Sequence, residues 1–295
     1  MSWRVTIPCT REQGERIADA EDLFPSSATQ PVVVADEPDE SKPEQWVLHA
    51  YFDQEPTPDE LTRLRELGTG ELEMEHLEDT TDWVTKSQSG LQPIRAGRFF
   101  VHTPMHYADR PSDTVNFEID AGLAFGTGQH ATTAGCLAAL DELARNGCIY
   151  ANIADIGTGT GLLAFAALAL WPDARCSATD IDPVAVDVSR DNAAINSVRL
   201  GHGGGELLLA VADGMDSPLL AARAPFDLII ANILAGPLIE LAPHFAKALA
   251  PGGTIILAGL LDTQADAVAK VYEAQGLTLQ EPGSGEWPVL VLASK

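Results

Sequence analysis

The second half of the chain alternates between two hydrophobic periods, and that alternation limits its fold more than any other feature. Runs rich in Ile, Val and Leu read as strands at 153–156, 175–179, 207–211, 228–231 and 254–258. Helical spacing fills the intervals at 160–170, 183–196, 235–250 and 263–274. Strands separated by helices need crossover connections, so they lie parallel with helices on both faces. A last pair of runs at 277–280 and 289–293 fits an antiparallel edge. Pro183 in a first helical turn and Gly252-Gly253 before a strand are consistent punctuation. The predicted class is α/β: a doubly wound, Rossmann-like sheet, mostly parallel, with an antiparallel edge strand.

The first 78 residues follow a different pattern. Strands are expected at 3–8, 32–35, 45–52 and 71–77, with helices at 11–20 and 59–67, the second ending at Gly68. The acidic, proline-containing stretch 36–43 reads as a loop. The βαββαβ order is compatible with a small ferredoxin-like α+β domain. Residues 79–117 show little periodicity apart from a strand-like 98–102 and read as a linker to a domain spanning 118–295.

Charge narrows the partners. With 43 acidic and 18 basic residues the net charge is −25. Such a field repels phosphate backbones and draws basic proteins, so direct nucleic-acid binding is not expected. An acidic proteome would produce the same number. The longest apolar run, 161–171, is too short to span a bilayer, and the N-terminus lacks the apolar stretch of a secretion signal. Cys9, Cys136, Cys148 and Cys176 are scattered and form no CxxC pair. They read as reduced thiols of a cytoplasmic protein. The seven histidines make no ligand pattern, so no metal is expected.

The chemistry concentrates at strand ends. Asp155-Ile156-Gly157-Thr158-Gly159-Thr160-Gly161 falls on a strand-to-helix turn. Glycines there let a ligand approach free N–H groups at a helix N-terminus. A tight structural turn can also look like this, so the spacing matters. Dinucleotide enzymes favour GxGxxG, whereas this motif is led by an acid. A carboxylate at Asp155 suits a ligand bearing an ammonium group, such as the amino-acid end of S-adenosylmethionine, and would repel a pyrophosphate. Asp180, ending the next strand, can accept hydrogen bonds from ribose hydroxyls or cap a helix. Asp182 suits the cap before Pro183. Asp213 is either an adenine-amino acceptor or a solvated loop residue. Asn232 ends the strand at 226–231 in Asn232-Ile233-Leu234-Ala235. Its side-chain carbonyl could orient an incoming amine, and a turn-forming asparagine is the alternative. The loop Gly122-Leu123-Ala124-Phe125-Gly126-Thr127-Gly128 precedes a helix starting near Ala131 and could close over a nucleotide. His130 has no carboxylate partner in the sequence and is not assigned to catalysis.

Taken together, the Phe-Gly-Thr-Gly loop, the Asp-led glycine turn, Asn-Ile-Leu-Ala-Gly-Pro at 232–237 and the tail Glu286-Trp287 resemble the PrmA family of ribosomal protein L11 methyltransferases. The likeness runs through 118–295. It reaches the first 78 residues only in size and element order. Gln129 and Ala131 replace a Thr and a Pro of the usual family loop. The resemblance implies a methyltransferase-type Rossmann-like sheet with S-adenosylmethionine as cofactor. It implies cofactor contacts at Thr133, Gly157, Asp180 and Asn232, to which the residues themselves add Asp155 and Gly159. It further implies methyl transfer to α-amino and lysine groups of a basic ribosomal protein, with Asn232 as catalytic residue and the N-terminal domain recognising the substrate. The protein is expected to act as a cytoplasmic monomer, without membrane contact. The alternatives are a lysine methyltransferase of the same family with another protein substrate, a small-molecule methyltransferase, an NAD-dependent oxidoreductase, and a binding module that keeps only the fold.

Overall fold

The computed structural model describes residues 2–18, 23–24, 31–36, 45–52, 54–77, 93–119, 129–281 and 283–294. Residues 37–43 of the acidic loop, Trp83 and the glycine loop at 122–128 lie outside the described residues, as do the side chains of Gln129 and His130. The chain divides into two units, Met1–Ser89 and Gly90–Lys295.

The first unit runs β1 (Ser2–Thr10), α1 (Arg11–Ala18), β2 (Val32–Asp36), β3 (Gln45–Phe52), α2 (Pro58–Leu67) and β4 (Glu73–Leu77). Its antiparallel sheet has the order β2-β3-β1-β4, the ferredoxin-like arrangement expected from the element order. Val5, Ile7 and Cys9 alternate inward and meet Leu48, Ala50, Ile17 and Leu64 in one core. Helix α2 starts with a reciprocal capping box between Thr57 and Glu60. Gly68 ends it, its N–H donating a hydrogen bond to the Leu64 carbonyl at 3.1 Å, yet its backbone is extended (φ −111°). Glycine is needed there for space: a Cβ would lie 2.6 Å from the Ile7 side chain.

The second unit opens with β5 (Ile94–Ala96), β6 (Phe99–His102), a 3₁₀ turn at Pro104–Asp109 and β7 (Val115–Glu118), which form a three-stranded sheet. These strands lie in the stretch read from sequence as a linker. Their Phe99, Val101 and Phe117 belong to the same buried cluster as the helices that follow. Then come α3 (Gln129–Arg145), β8 (Asn152–Ile156), α4 (Leu162–Leu170), β9 (Arg175–Asp180), α5 (Pro183–Ile195), β10 (Glu206–Val211), α6 (Pro218–Arg223), β11 (Phe226–Asn232), α7 (Ala235–Ala248), β12 (Leu249–Ala258), α8 (Asp262–Ala274), β13 (Thr278–Glu281) and β14 (Leu290–Ala293). The seven-stranded sheet has the order β10-β9-β8-β11-β12-β14-β13. β14 pairs antiparallel with both β12 and β13, and the other neighbours are parallel. The α/β class, the parallel sheet and its antiparallel edge are therefore as the alternation required.

Helix α7 stops two residues before the expected 250, because Leu249 pairs with Phe226 and begins β12. The central strands are buried on both faces, which explains their continuous apolar runs. Helices α3 and α4 cover one face with Leu137, Leu140 and Phe165, and α6, α7 and α8 cover the other with Leu220, Phe245 and Tyr272. Each such fully buried side chain contributes roughly 1.5–3 kcal/mol.

Candidate active site

From β8 the chain winds outward to β9 and β10, then crosses back to β11 on the other side of β8. In an open α/β sheet this switch point leaves a crevice at the carboxyl ends of the two strands. A cavity of about 340 Å³ sits there, within the usual range for small-molecule sites. Its lining comes from Thr132 and Thr133 in the first turn of α3, the glycine turn after β8, the first residues of α4, Asn232-Ile233-Leu234 after β11, Gly259 after β12, and Trp287 before β14.

The glycine turn is built from positive-φ residues: Gly157 at 73°, Gly159 at 55° and Gly161 at 85°. Only glycine adopts such angles without strain. At Gly157 space forbids a side chain as well, since a Cβ would lie 2.2 Å from Ile233. The turn is tied down on several sides. The amides of Gly157 and Thr158 donate to the Thr179 carbonyl at 2.8 and 2.9 Å, and that of Gly159 donates to Asp180 Oδ2 at 2.9 Å. From α5, Ser189 Oγ donates to the Gly159 carbonyl at 2.7 Å and Asn192 Nδ2 to that of Thr160 at 3.1 Å. Of the amides that open α4, Gly161 bonds Thr158 and Ala164 bonds Asp155. Those of Leu162 and Leu163 have no acceptor among the described residues, and both residues line the cavity. That leaves two donors and the positive end of the helix dipole for a ligand.

Asp155 is buried beneath this turn. Its Oδ2 accepts from Thr158 Oγ1 at 2.7 Å and from the Ala164 amide at 3.2 Å, while Oδ1 has no partner. Burial pushes its carboxyl up to about 7, against the lowering effect of those two hydrogen bonds; nearby Asp180 adds to the rise. Asp180, at the end of β9, accepts from Gly159 through Oδ2 and from the Asp182 amide through Oδ1 at 3.1 Å. Asp182 caps α5, accepting from Val184 N at 2.8 Å. Asn232 is half-buried, lines the cavity and has no side-chain hydrogen bond among the described residues. Beside it Leu234 is 73% exposed.

The structure thus brings Thr133, Gly157, Gly159 and Asn232 to one cavity. Asp155 and Asp180 do not line it; they hold the backbone that does. Asp213 is exposed, bridged to Asp216, and outside the cavity. Sequence reasoning missed Thr132, Ile233, Leu234 and Gly259 as lining residues. Gly259 was legible in principle, as a glycine just past the end of a central strand; its φ is 85°, and a Cβ would lie 2.4 Å from the Ile233 carbonyl oxygen. Trp287 carried only a family likeness, because nothing local reveals which strand end its loop reaches. No group of His, Cys, Asp and Glu among the described residues could hold a metal ion.

A nucleoside with a cationic amino-acid tail fits what is present. The unused amides of Leu162 and Leu163 suit a carboxylate, and Gly157 keeps the floor open. Sheet order, acid-led glycine turn and strand-end asparagine define the class: an S-adenosylmethionine-dependent methyltransferase. The chain belongs to the family described as ribosomal protein L11 methyltransferase (PrmA), whose sequence profile matches residues 2–295. The ribosomal protein L11 methyltransferase of Brucella suis is 50% identical over 217 residues, 73% of each chain. That of Mesorhizobium japonicum is 47% identical over 204 residues, 69% of this chain and 68% of the relative. The crystal structure of ribosomal protein L11 methylase from Lactobacillus delbrueckii subsp. bulgaricus superposes with a TM-score of 0.58 at 26% identity. It covers 70% of this chain and 98% of that one.

Proposed function

We propose that this enzyme transfers methyl groups to amino groups of ribosomal protein L11, the α-amine and lysines, with Asn232 orienting the acceptor nitrogen. The observation that carries the reading is Asn232 itself: an amide at the sheet's switch point, lining the cavity, with no side-chain hydrogen bond among the described residues. S-adenosylmethionine, when bound, supplies an activated methyl on a sulfonium, so the protein's task is alignment more than acid–base catalysis. Asn232 Oδ1 accepts a hydrogen bond from the amine and aims its lone pair along the transfer line. Thr133, Gly157 and Gly159 bound the cofactor's space. Asp180 holds the turn and keeps lone pairs for ribose hydroxyls, and Asp155 anchors the same turn from beneath through Thr158 and the Ala164 amide.

The amine must reach the site neutral. Deprotonating a lysine of ordinary pKa near 10.4 costs roughly 4–5 kcal/mol at pH 7, and an α-amine only about 1 kcal/mol. The apolar side chains of Ile233 and Trp287, which line the cavity with Asn232, favour the neutral form by limiting water. The N-terminal unit recognises the substrate. A ribosomal substrate implies work in the cytoplasm, and no helix among the described residues is long and apolar enough to cross a membrane.

The test is transfer of labelled methyl from S-adenosylmethionine to purified ribosomal protein L11, with modified residues identified by mass spectrometry. Label on L11 that disappears in Asp180→Ala supports the reading. Cofactor binding with no label on L11 would redirect the search to another protein.

A further inference from the structure

Helix α5 carries a polar row on one face. Ser189, Asn192 and the capping residue Asn196 are spaced by three and then four positions, so they lie one above another. Each of the three bonds the backbone of a neighbouring element. Ser189 and Asn192 hold the glycine turn. Asn196 holds β7: its Oδ1 accepts from the Glu118 amide at 2.9 Å, and its Nδ2 donates to the Glu118 carbonyl at 2.7 Å and to the Asn192 carbonyl at 2.9 Å. β7 is an edge strand, so its outward backbone groups lack a neighbouring strand, and the asparagine carboxamide takes that place at Glu118. The end of α5 is itself fixed in one geometry. Ser197, the next residue, has φ 57° and is the only non-glycine with positive φ among the described residues. Its amide and that of Val198 turn back to the Ala194 and Ala193 carbonyls at 3.2 and 2.8 Å. Glycine usually takes this left-handed position at a helix end; serine there is strained and persists only where its surroundings hold it.

Packed side chains lead from this clasp to the cavity. Phe117, one residue before Glu118, is buried, and its ring centroid lies 6.3 Å from that of Phe165 on α4. The Phe165 ring abuts the glycine turn: a Cβ on Gly161 would lie 2.5 Å from its Cζ. Gly161 leads directly into Leu162 and Leu163, which line the cavity. An interior packed this closely passes a shift of one ring to the next.

We propose that Asn196 is a positioning residue for the cofactor: by clasping Glu118 it seats Phe117 on Phe165 and so fixes the start of α4, a wall of the cofactor cavity. Asn196 acts through these neighbours and does not line the cavity itself. Its role belongs to the cofactor half of the reaction and holds whichever protein accepts the methyl.

The experiment is calorimetric titration of the full chain with S-adenosylhomocysteine, well below the melting temperature of every variant. Asn196→Ala should raise Kd about tenfold. Phe117→Leu should weaken binding to a similar extent, and the double variant no further than either alone, because both act through one contact. Tyr150→Phe is the control for stability. It removes the 2.8 Å hydrogen bond to Thr254 beside the amino end of β8, whose other end carries the glycine turn, and should lower the melting temperature without moving Kd. Asn196→Asp keeps Oδ1 for the Glu118 amide but loses the donor; it should also raise Kd, and repeats the test should the alanine variant melt early. A Kd within about twofold of wild type in folded Asn196 variants overturns the proposal. Additive losses in the double variant overturn the route through Phe117. Equal weakening by Tyr150→Phe for the same loss of melting temperature would reduce Asn196 to a general stabilising residue and overturn its positioning role.

Discussion

Three residues at or beneath the site respond differently to replacement, because each is held by a different force. Asn232 is half-buried and has no side-chain partner among the described residues, so Asn232→Ala should leave the melting temperature nearly unchanged. With the acceptor amine no longer aligned, kcat should fall roughly 100-fold; turnover at the wild-type rate would remove its role. Gly157→Ala combines strained φ with a collision at Ile233, and should lower stability by about 1–3 kcal/mol while abolishing calorimetric cofactor binding. Asp155 is governed by pH. Its folded pKa, about 7, lies above the ordinary value of 3.8. The neutral folded form therefore gives its full stability below about pH 4, and that contribution is lost as pH rises through 7. The slope reaches up to about 1.4 kcal/mol per pH unit. Asp155→Asn keeps an acceptor for Thr158 and Ala164 but removes this slope. Melts at pH 5 and pH 8 should separate less in the variant than in the wild type; equal separations would count against the assignment.

Among elements, α3 and α5 set the site from outside it. Asp141 on α3 is 2% exposed and is shared by Arg98 and Arg145. It fastens the β5-β6 hairpin to the helix whose first turn carries Thr132 and Thr133. Gly97, at the hairpin's tip, has φ 55° and its Cβ position lies 2.3 Å from Asp141 Oδ2. Arg98→Ala leaves that buried carboxylate with only the largely exposed Arg145. A stability loss of about 1–2 kcal/mol is expected, discounted because Arg98 itself is partly solvated; urea titration measures it. Ser189 and Asn192, three residues apart on one face of α5, hold the glycine turn from the other side.

At the scale of the molecule, the two units have separate cores. Among the described residues, the cluster around Ile7 and Leu48 draws on residues before Ser89, and the two clusters flanking the large sheet on residues after Gly90. A chain starting at Gly90 should therefore fold and bind S-adenosylhomocysteine within a few-fold of the full protein, yet lose transfer to L11. Calorimetry and the labelled-methyl assay read the two properties separately. Loss of cofactor binding in the shortened chain would tie the site to the first unit.

The sequence by itself determined the class of fold and the family, because these follow from local properties. Hydrophobic period dictates strand or helix, positive φ demands glycine at 157, 159 and 161, and Asp182 before Pro183 can cap its helix wherever the helix packs. Tertiary structure decided what depends on distant partners. It made strands of 94–96 and 115–118, whose short runs gain stability only against α3 and α4, and it ended α7 early for a pairing with Phe226. It also turned Asp155 and Asp180 inward to hold backbone amides, and brought Trp287 and Gly259 beside Asn232 from strands remote in sequence. Periodicity is written within a few residues of itself, whereas a cavity wall is assembled by strand order, which no local pattern records.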